Sequence, residues 1–395
     1  MSAGAKNGIS FAVHPATTPV PAAQRAALLA RPGFGQIFTD HMVTIDWDEG
    51  TGWHDAQLRP YGPFSMDPAS AVFHYAQEIF EGLKAYRQAG GGVAMFRPMA
   101  NAGRFNRSAA RMGMPELPEE TFVQALELLV TQDRDWVPGG DPASGEDASG
   151  EAASGDAASG DAAGREESLY LRPFMIATHV GLGVSKPSTS FTFAIIASPA
   201  GSYFSGGIRP VSVWLADSYT RAAPGGTGAA KTGGNYAGAF AGQLEALAHG
   251  CEQVVWLDAT EHQWVEEMGG MNLFFVHGSG PGARITTPGL TGTLLAGITR
   301  DSVLALAPDL GIPAAEQAIS VVQWRDGCES GEISEVFACG TAAVITPVGA
   351  VRGAAGGWTV GDGEPGPVTM RLREQLLGIQ FGQLPDAHSW VHKVC

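Results

Sequence analysis

The stretch that reveals most about this chain is Gly225-Gly226-Thr227-Gly228-Ala229-Ala230-Lys231-Thr232-Gly233-Gly234-Asn235-Tyr236. Glycine has no Cβ, so a flat ligand could approach this backbone closely. A lysine in such a setting can lose its water shell, which lowers its pKa and frees the amine to attack a carbonyl group. The alternative is a solvated loop whose lysine points at water. The other four lysines show no special context; they are Lys6, Lys84, Lys186 and Lys393.

Length and composition predict a globular protein of two domains. The chain has 395 residues, 44% of them hydrophobic and 16% charged, whereas single cores stop growing near about 250–300 residues. The net charge of −16 argues against nucleic acid or an anionic membrane as a partner. Much of this charge is local, because residues 141–167 hold eight acidic side chains against Arg165.

The cysteines and the apolar runs bear on the compartment. Cys251, Cys328, Cys339 and Cys395 lie far apart and form no Cys-x-x-Cys pair, which predicts a reducing compartment and no metal site. The first ten residues have no apolar stretch behind basic residues, so we expect no secretory signal. No apolar run approaches the ~18 residues of a membrane span. The sequence therefore predicts a cytoplasmic protein.

The pattern along the chain predicts an α/β fold. Residues 1–33 are rich in Ala and Pro and are expected to form a poorly ordered tail. A small α/β domain is expected over residues 34–200. Near-repeats of Ala-Ala-Ser-Gly-Asp interrupt it at about 139–166 and predict a disordered surface insertion, with an acidic docking segment as the alternative. Residues 201–210 predict a linker, and strand–helix alternation predicts a larger domain over 211–395.

Four groups taken together with Lys231 indicate one kind of chemistry. Glu267 lies at the entrance to an apolar strand, where a buried carboxylate needs a cationic partner such as a protonated pyridine nitrogen. Gly297-Ile298-Thr299 begins a helix whose N–H groups and dipole favour a phosphate. Gly340-Thr341-Ala342 offers another small loop with free N–H groups, and Arg104 could add a bidentate contact to a phosphate.

Each of these groups also has an ordinary explanation. Glu267 could be a surface acid capping a strand, and Arg104 could form a surface salt bridge. Ile298 and Thr299 could simply begin a helix, because single short motifs often match by chance. A lysine, a carboxylate and phosphate-binding loops in one chain are more than chance predicts. Together they indicate a site for pyridoxal 5′-phosphate.

Five longer segments carry a family resemblance. They are His74-Tyr75-Ala76-Gln77-Glu78-Ile79-Phe80-Glu81-Gly82-Leu83-Lys84-Ala85-Tyr86, Leu169-Tyr170-Leu171-Arg172-Pro173, Lys231-Thr232-Gly233-Gly234-Asn235-Tyr236, Glu267-Met268-Gly269-Gly270-Met271-Asn272 and Gly340-Thr341-Ala342. Through them the chain resembles the branched-chain amino-acid aminotransferases, which are fold-type IV pyridoxal phosphate enzymes. The resemblance covers about residues 34–392. It implies a smaller N-terminal α/β domain and a larger, barrel-like α/β domain that binds the cofactor, with the site between them.

The resemblance also implies a role for each matched residue. Lys231 would hold pyridoxal 5′-phosphate and move the proton of the substrate Cα. Glu267 would pair with the pyridinium nitrogen, and Tyr236 would hydrogen-bond the phenolic oxygen. The phosphate would be held by Arg104, Ile298, Thr299 and Thr341.

The implied reaction transfers the amino group of L-leucine, L-isoleucine or L-valine to 2-oxoglutarate in two half-reactions. Aliphatic walls would suit the branched side chains, and Arg172 would meet the distal carboxylate of glutamate. Leu182 and Val184 would reach the pocket of a partner subunit, which implies at least a homodimer. The substrate α-carboxylate would be received by Tyr75, Thr341 and Ala342, and the apolar pocket would be walled by Phe80, Tyr170 and Tyr203.

Departures from the family pattern and rival assignments remain open at this point. Gly270 stands where many members have Thr, so another donor or water is expected to replace that hydroxyl. Ala343 and Thr346 stand where some animal members carry a Cys-x-x-Cys switch, so thiol regulation of that kind is not expected. The nearest rivals are D-amino-acid aminotransferases and aminodeoxychorismate lyases. A non-catalytic carrier of the cofactor is the alternative from another class.

Overall fold

The computed structural model describes residues 9–139, 166–201 and 208–395. Over these ranges the chain forms two nine-stranded sheets and nine α-helices. The predicted mixed α/β architecture is therefore confirmed. Most of the acidic insertion and Tyr203 lie outside the described residues.

The helices are α1 (Ala22–Leu29), α2 (Ala71–Tyr75), α3 (Pro98–Arg111), α4 (Glu119–Gln132), α5 (Gly233–Ala237), α6 (Phe240–Ala248), α7 (Ile298–Asp309), α8 (Val321–Ser330) and α9 (Pro367–Gln380). The strands of the first half are β1 (Ala12–Val13), β2 (His41–Asp48), β3 (Gly52–Pro60), β4 (Glu78–Phe80), β5 (Leu83–Arg87), β6 (Val93–Phe96), β7 (Ser168–Ala177) and β8 (Ser190–Ala200). Those of the second half are β9 (Val211–Ala216), β10 (Gln253–Leu257), β11 (Val265–Met268), β12 (Met271–His277), β13 (Arg284–Thr287), β14 (Ala314–Glu316), β15 (Ile333–Gly340), β16 (Val344–Gly353), β17 (Gly356–Thr359) and β18 (Val391–Lys393).

The smaller sheet has the order β1-β3-β2-β8-β7-β5-β6-β18, with β4 paired to β7. Along β7 buried residues alternate with half-buried ones, because successive side chains of a strand point to opposite faces. Helices α3 and α4 cover the core face. Phe105, Phe122 and Phe193 join the two helices to β8, with ring centroids 5.4 to 5.8 Å apart.

The larger sheet closes on itself. Its strands follow the order β11-β10-β9-β16-β15-β12-β13-β14, and β12 also pairs with β11. Six strands, β9, β10, β11, β12, β15 and β16, therefore form a ring. Residues 254–257 and 272–277 are buried throughout, as expected for strands covered on both faces. This ring is the barrel-like domain that the resemblance implied.

Side-chain and backbone contacts fix the two sheets against each other. The backbone N–H of Phe80 in β4 donates to the carbonyl of Lys231, at 2.9 Å. Arg97, which precedes α3, donates to Asp301 at 2.6 Å and to Ser302 Oγ at 2.8 Å, both in α7. The loop of Lys231 and the start of α7 are thereby held against the smaller sheet.

The structure departs from the expected tail at residues 1–33. Residues 9–33 contain β1 and α1, and Ala12 and Val13 pair with Gln57 and Leu58 of β3. The expectation rested on the abundance of Ala and Pro. It missed that the leucine pair at the end of α1, residues 28 and 29, packs against the core of the smaller sheet.

The chain also returns to the smaller sheet after the barrel is complete. Val391, His392 and Lys393 of β18 pair with Phe96, Met95 and Ala94 of β6. The stretch 211–395, expected to form one domain, therefore gives its last strand to the other sheet. Strand β18 is short, and its sequence did not distinguish it from a loop.

Residues 9–139, 166–201 and 208–395 contain neither a membrane-spanning helix nor a cluster of metal ligands. No helix there is both long enough and apolar enough to span a bilayer. No three His, Cys, Asp or Glu side chains are grouped as ligands for a metal ion in those ranges. The four cysteines are all free.

Candidate active site

A cavity of about 300 Å³ lies where the two sheets meet. Its volume is at the lower end of the range of ligand-binding pockets, about 300–1,000 Å³. The predicted cofactor residues all line it, namely Lys231, Arg104, Tyr236, Glu267, Ile298, Thr299 and Thr341. Thr341 was also predicted to bind substrate, and four further predicted substrate residues line the cavity, namely Phe80, Tyr170, Arg172 and Ala342. Segments that are far apart in the sequence therefore converge on one site.

The amine of Lys231 projects into this cavity between two aromatic rings. Its Nζ donates a hydrogen bond to Tyr236 Oη at 2.8 Å and lies 4.6 Å from the ring centroid of Phe80. The backbone N–H of Lys231 donates to Ser108 Oγ at 3.0 Å. The lysine backbone is thus fixed to α3 and β4, and only the side chain is free to move.

Two of the glycines around Lys231 make room for neighbouring protein chain, whereas the sequence suggested room for a flat ligand. A Cβ on Gly228 would lie 2.3 Å from the carbonyl oxygen of Thr293, and one on Gly233 would lie 2.4 Å from Glu78 Oε1. Of the described residues 225–236, only Lys231 and Tyr236 line the cavity. Gly228 and Gly233 therefore let the loop pack closely against neighbouring chain. The ligand-facing glycines are residues 82, 270, 297 and 340.

Glu267 lies in β11 and is almost completely buried. Burial raises the pKa of this carboxyl group, and the guanidinium of Arg221 acts in the opposite direction. Arg221 Nη2 donates to Glu267 Oε1 at 3.1 Å, and the N–H of Leu295 donates to the same oxygen. The sequence predicted that a buried carboxylate here needs a cation. It did not identify Arg221, ten residues before Lys231, as one.

Arg104 is held by a partner that sequence reasoning missed. Its Nε and Nη2 donate to the two oxygens of Glu81 at 2.7 and 2.8 Å, and Nη1 donates to the carbonyl of Ala296 at 3.2 Å. Both ionic side chains are buried. An arginine has five N–H donors, so two remain for a ligand in the cavity. Arg104 can therefore contribute to a phosphate site, but not with the free fork that was expected.

Two backbone segments bring unpaired N–H groups to the same end of the cavity. Helix α7 begins at Ile298 after the N-cap residue Gly297, and the first N–H groups of a helix have no partner within it. The second segment is the loop after β15, which contains Thr341 and Ala342 and also lines the cavity. This arrangement, together with the helix dipole, suits an anionic group.

The aromatic end of the cavity carries the guanidinium of Arg172 in addition to the amine of Lys231. The guanidinium carbon of Arg172 lies 4.8 Å from the ring centroid of Phe80 and 5.2 Å from that of Tyr170. Its Nη2 donates to Tyr170 Oη at 2.9 Å, whereas its buried Nε has no hydrogen-bond partner in the described part of the chain. Phe34, which carried no recognisable motif, packs edge-on against Tyr170 at 5.0 Å.

Three predicted substrate residues lie elsewhere on the chain. Tyr75, Leu182 and Val184 do not line the cavity and are exposed by 42%, 63% and 74%. Tyr75 Oη donates to the carbonyl of Leu182 at 2.6 Å, so these residues form one surface. Tyr75 thus does not face the cavity that Thr341 and Ala342 of its own chain line, although all three were expected at one carboxylate.

The position of Gly270 bears on its departure from the family pattern. A Cβ built there would lie 3.3 Å from Tyr236 Cε1. The residue therefore contacts the ring whose hydroxyl group accepts from Lys231. A threonine at this position would require Tyr236 to shift by a few tenths of an ångström.

Comparisons with known proteins agree with this geometry. The family described as amino-transferase class IV matches residues 78–351. A probable branched-chain-amino-acid aminotransferase of Streptomyces coelicolor is 56% identical over 378 residues, covering 96% of this chain and 97% of the relative. The branched-chain-amino-acid aminotransferase of Mycolicibacterium smegmatis is 54% identical over 386 residues, covering 98% of each.

Solved structures are similar in fold. The branched-chain amino acid aminotransferase of Escherichia coli has a TM-score of 0.68 and is 27% identical, covering 89% of this chain and 99% of that one. Another solved branched-chain amino acid aminotransferase, with pyridoxamine 5′-phosphate, has the same TM-score of 0.68. The expected family and fold type are confirmed. This chain belongs to the class IV aminotransferases.

Proposed function

We propose that this enzyme transfers the amino group of L-leucine, L-isoleucine and L-valine to 2-oxoglutarate, giving branched-chain 2-oxo acids and L-glutamate. The observation that carries this proposal is the shared cavity. A lysine amine, a buried carboxylate and a helix N-terminus face it together with an arginine stacked on aromatic rings. Relatives that align over nearly the whole chain are named for the same substrates.

The residues of the cavity fit pyridoxal 5′-phosphate. Glu267 is a buried carboxylate suited to a pyridinium nitrogen, and Tyr236 offers a hydroxyl group beside Lys231 Nζ. The phosphate would be held by Arg104, Ile298, Thr299 and Thr341. When bound, this cofactor supplies an aldehyde carbon for amino groups and a ring that withdraws electrons from the substrate Cα.

The protein residues then supply positioning and proton transfer. Lys231 would carry the proton from the substrate Cα to the former aldehyde carbon of the bound cofactor in the first half-reaction, and in the reverse direction in the second, because its amine is the titratable group that the loop directs into the cavity. Tyr236 holds that amine at 2.8 Å. Glu267 keeps a negative charge in the buried wall, and Arg221 supports that charge. Both half-reactions use the same lysine and the same cavity, so the first product must leave before the second substrate can enter.

The aromatic end of the cavity can accept both a branched aliphatic side chain and the acidic side chain of glutamate. Phe34, Phe80 and Tyr170 offer apolar surface to a branched side chain. Arg172 lies among these rings with a buried Nε that has no partner in the described chain. The distal carboxylate of glutamate or 2-oxoglutarate would supply one. A single pocket can therefore accept both, since the cation is reached only by the longer acidic side chain.

The assembly and the compartment are part of the same proposal. We infer that Tyr75, Leu182 and Val184 of one subunit close the cavity of its partner, because the three lie together and exposed on a single chain. The enzyme would then be at least a homodimer. The free cysteines agree with the proposed cytoplasmic location.

The absorbance spectrum of the purified holoenzyme tests the function. L-leucine, added without any oxo acid, should convert the bound cofactor to pyridoxamine 5′-phosphate, and 2-oxoglutarate should restore the starting spectrum. A response to D-alanine and none to L-leucine would favour a D-amino-acid aminotransferase of the same fold. Failure to bind pyridoxal 5′-phosphate at all would contradict the whole assignment.

Replacing Arg172 with methionine should separate the two substrates. The KM for 2-oxoglutarate should rise by about 10- to 100-fold, the range expected when a charge-assisted hydrogen bond is lost. The rate of the L-leucine half-reaction should change by no more than about threefold. Stopped-flow measurement of each half-reaction provides the comparison. Arg107→Met, at an exposed position of α3, is the matched control. An equal loss for both substrates would mean that Arg172 shapes the pocket and does not recognise the carboxylate.

A further inference from the structure

The loop at Thr341 and Ala342 is built with backbone strain. Gly340 and Val344 are cross-strand partners of β15 and β16, so residues 341–343 form a three-residue connection. Val344 has a φ of +61° and is buried. In such loops this left-handed backbone conformation is usually adopted by glycine. A β-branched residue rarely adopts it, because its side chain clashes with the backbone. Strain of this kind persists only where surrounding contacts enforce it.

One of these contacts comes from the other sheet. Lys84 in β5 donates a hydrogen bond from Nζ to the carbonyl of Ala342, at 2.8 Å, across 258 positions of sequence. The peptide group is planar with its carbonyl and N–H pointing in opposite directions. Fixing the carbonyl of Ala342 toward β5 therefore also fixes the N–H of Ala343. Thr341, Ala342 and Ala343 all line the cavity.

Lys84 itself does not line the main cavity. It is buried, at 6% exposure, beside a small void of about 20 Å³ that Thr299 and Thr341 also border. Lys84 showed no special context in the sequence, yet burial lowers its pKa to about 8, with Glu166 acting to raise it. Glu166 is held in turn by both terminal nitrogens of Arg373.

A buried ammonium group is a poor choice if stability alone matters. Desolvating a cation is costly, and replacing buried charge with a well-packed apolar side chain is often neutral or stabilising. The single hydrogen bond to Ala342 does not offset that cost by itself, because the net stabilisation from one hydrogen bond is smaller than the penalty for burying a charge. The presence of Lys84 is better explained by what it does to the loop.

We propose that Lys84 is a positioning residue, whose ammonium group holds the 341–343 loop in its strained form so that the loop N–H groups are oriented for the α-carboxylate of the substrate. This inference rests on the proposed function. It deepens that function by assigning the orientation of the loop to a residue of the opposite sheet. Because every amino acid and 2-oxo acid substrate has that carboxylate, the effect is common to both half-reactions.

The test compares Lys84→Met, Lys84→Arg and the exposed-site control Lys393→Met as purified holoenzymes. Lys84→Met should raise the KM for L-leucine and for 2-oxoglutarate by the same factor, about 10-fold, as expected for a slight misplacement of binding groups. The inhibition constant of 4-methylpentanoate, which has a carboxylate and no amino group, should rise equally. The affinity for pyridoxal 5′-phosphate should fall by less than the KM values rise, because Thr341 is only one of the four proposed phosphate contacts. Lys84→Arg restores a charged donor and should recover most of the loss.

Each other outcome overturns the proposal. Unchanged KM values in Lys84→Met would mean that the loop keeps its form without the lysine. Loss of folded protein in Lys84→Met, or a loss of cofactor affinity at least as large as the rise in KM, would make Lys84 a structural residue. A failure of Lys84→Arg to recover would remove the role of the charged donor. These results differ from a failure of the proposed function, which would appear in the wild-type enzyme as no reaction with L-leucine.

Discussion

Lys231→Ala should lower the turnover number for L-leucine and 2-oxoglutarate by more than about 10⁴-fold, the upper end of what one positioned acid–base group contributes. The amine of Lys231 is in the cavity, 2.8 Å from Tyr236 Oη. Lys84 is also buried, but it donates to the carbonyl of Ala342 and does not line the cavity. No other described lysine is therefore placed to take over the proton transfer.

Single-turnover absorbance with L-leucine is the measurement for Lys231→Ala. The variant should still bind pyridoxal 5′-phosphate non-covalently, because Glu267, the α7 N-terminus and Arg104 are intact. Lys393→Ala, at an exposed position of β18, should behave as the wild-type enzyme does. Turnover above about 1% of wild type in Lys231→Ala would assign the proton transfer to a different group.

Glu267→Gln should lower the turnover number by about 10²- to 10³-fold, the size of effect expected when one preorganised electrostatic group is removed from a catalytic site. Glutamine keeps the shape and can still accept from Arg221 and Leu295, but it removes the negative charge. A pyridine nitrogen beside a neutral amide holds its proton less firmly, so the ring withdraws electrons less strongly. Steady-state kinetics at saturating cofactor measures this change.

The neighbouring residue provides a matched control for Glu267→Gln. Glu266 lies in the same strand and is buried, but it accepts from Thr293 and does not line the cavity. Glu266→Gln should retain activity within about threefold. The double variant Glu267→Gln with Arg221→Met removes both buried charges, so it should regain stability without regaining turnover. Recovery of turnover in the double variant would mean that Glu267 serves only to neutralise Arg221.

The sequence predicted which residues line the cavity better than it predicted which side chains form ion pairs with them. Motifs placed Lys231, Glu267 and the two N–H-bearing loops in one cavity, because each has a local signature of glycines or helix start. Glu81 and Arg221 were not recognised as partners, although they pair with predicted residues. Those pairs span 23 and 46 positions, and nothing local in the sequence records which side chains so far apart along the chain meet in the fold.

The fold shows the same division between local and long-range information. Apolar periodicity gave the α/β class and the main strands of the barrel. It could not reveal that β18 pairs with β6, since three residues carry too little pattern. At Gly228 and Gly233 near Lys231, the close approach is to protein and not to the expected ligand, for a related reason. A glycine signals close approach, but the sequence does not say whether a ligand or another stretch of backbone approaches.

The pairing of β18 with β6 sets an order for folding. Strand β18 lies about 300 residues after its partner. During synthesis, β6 therefore cannot pair with β18 until the whole barrel has been translated. Contacts this distant in sequence form late, because the connecting chain must be ordered first. Until then the β6 edge exposes unpaired backbone groups that can pair with another chain. Assembly of the smaller sheet is thus completed only after the barrel has been made. A fragment that ends before the barrel would keep an unpaired β6 edge and would be prone to aggregate through it.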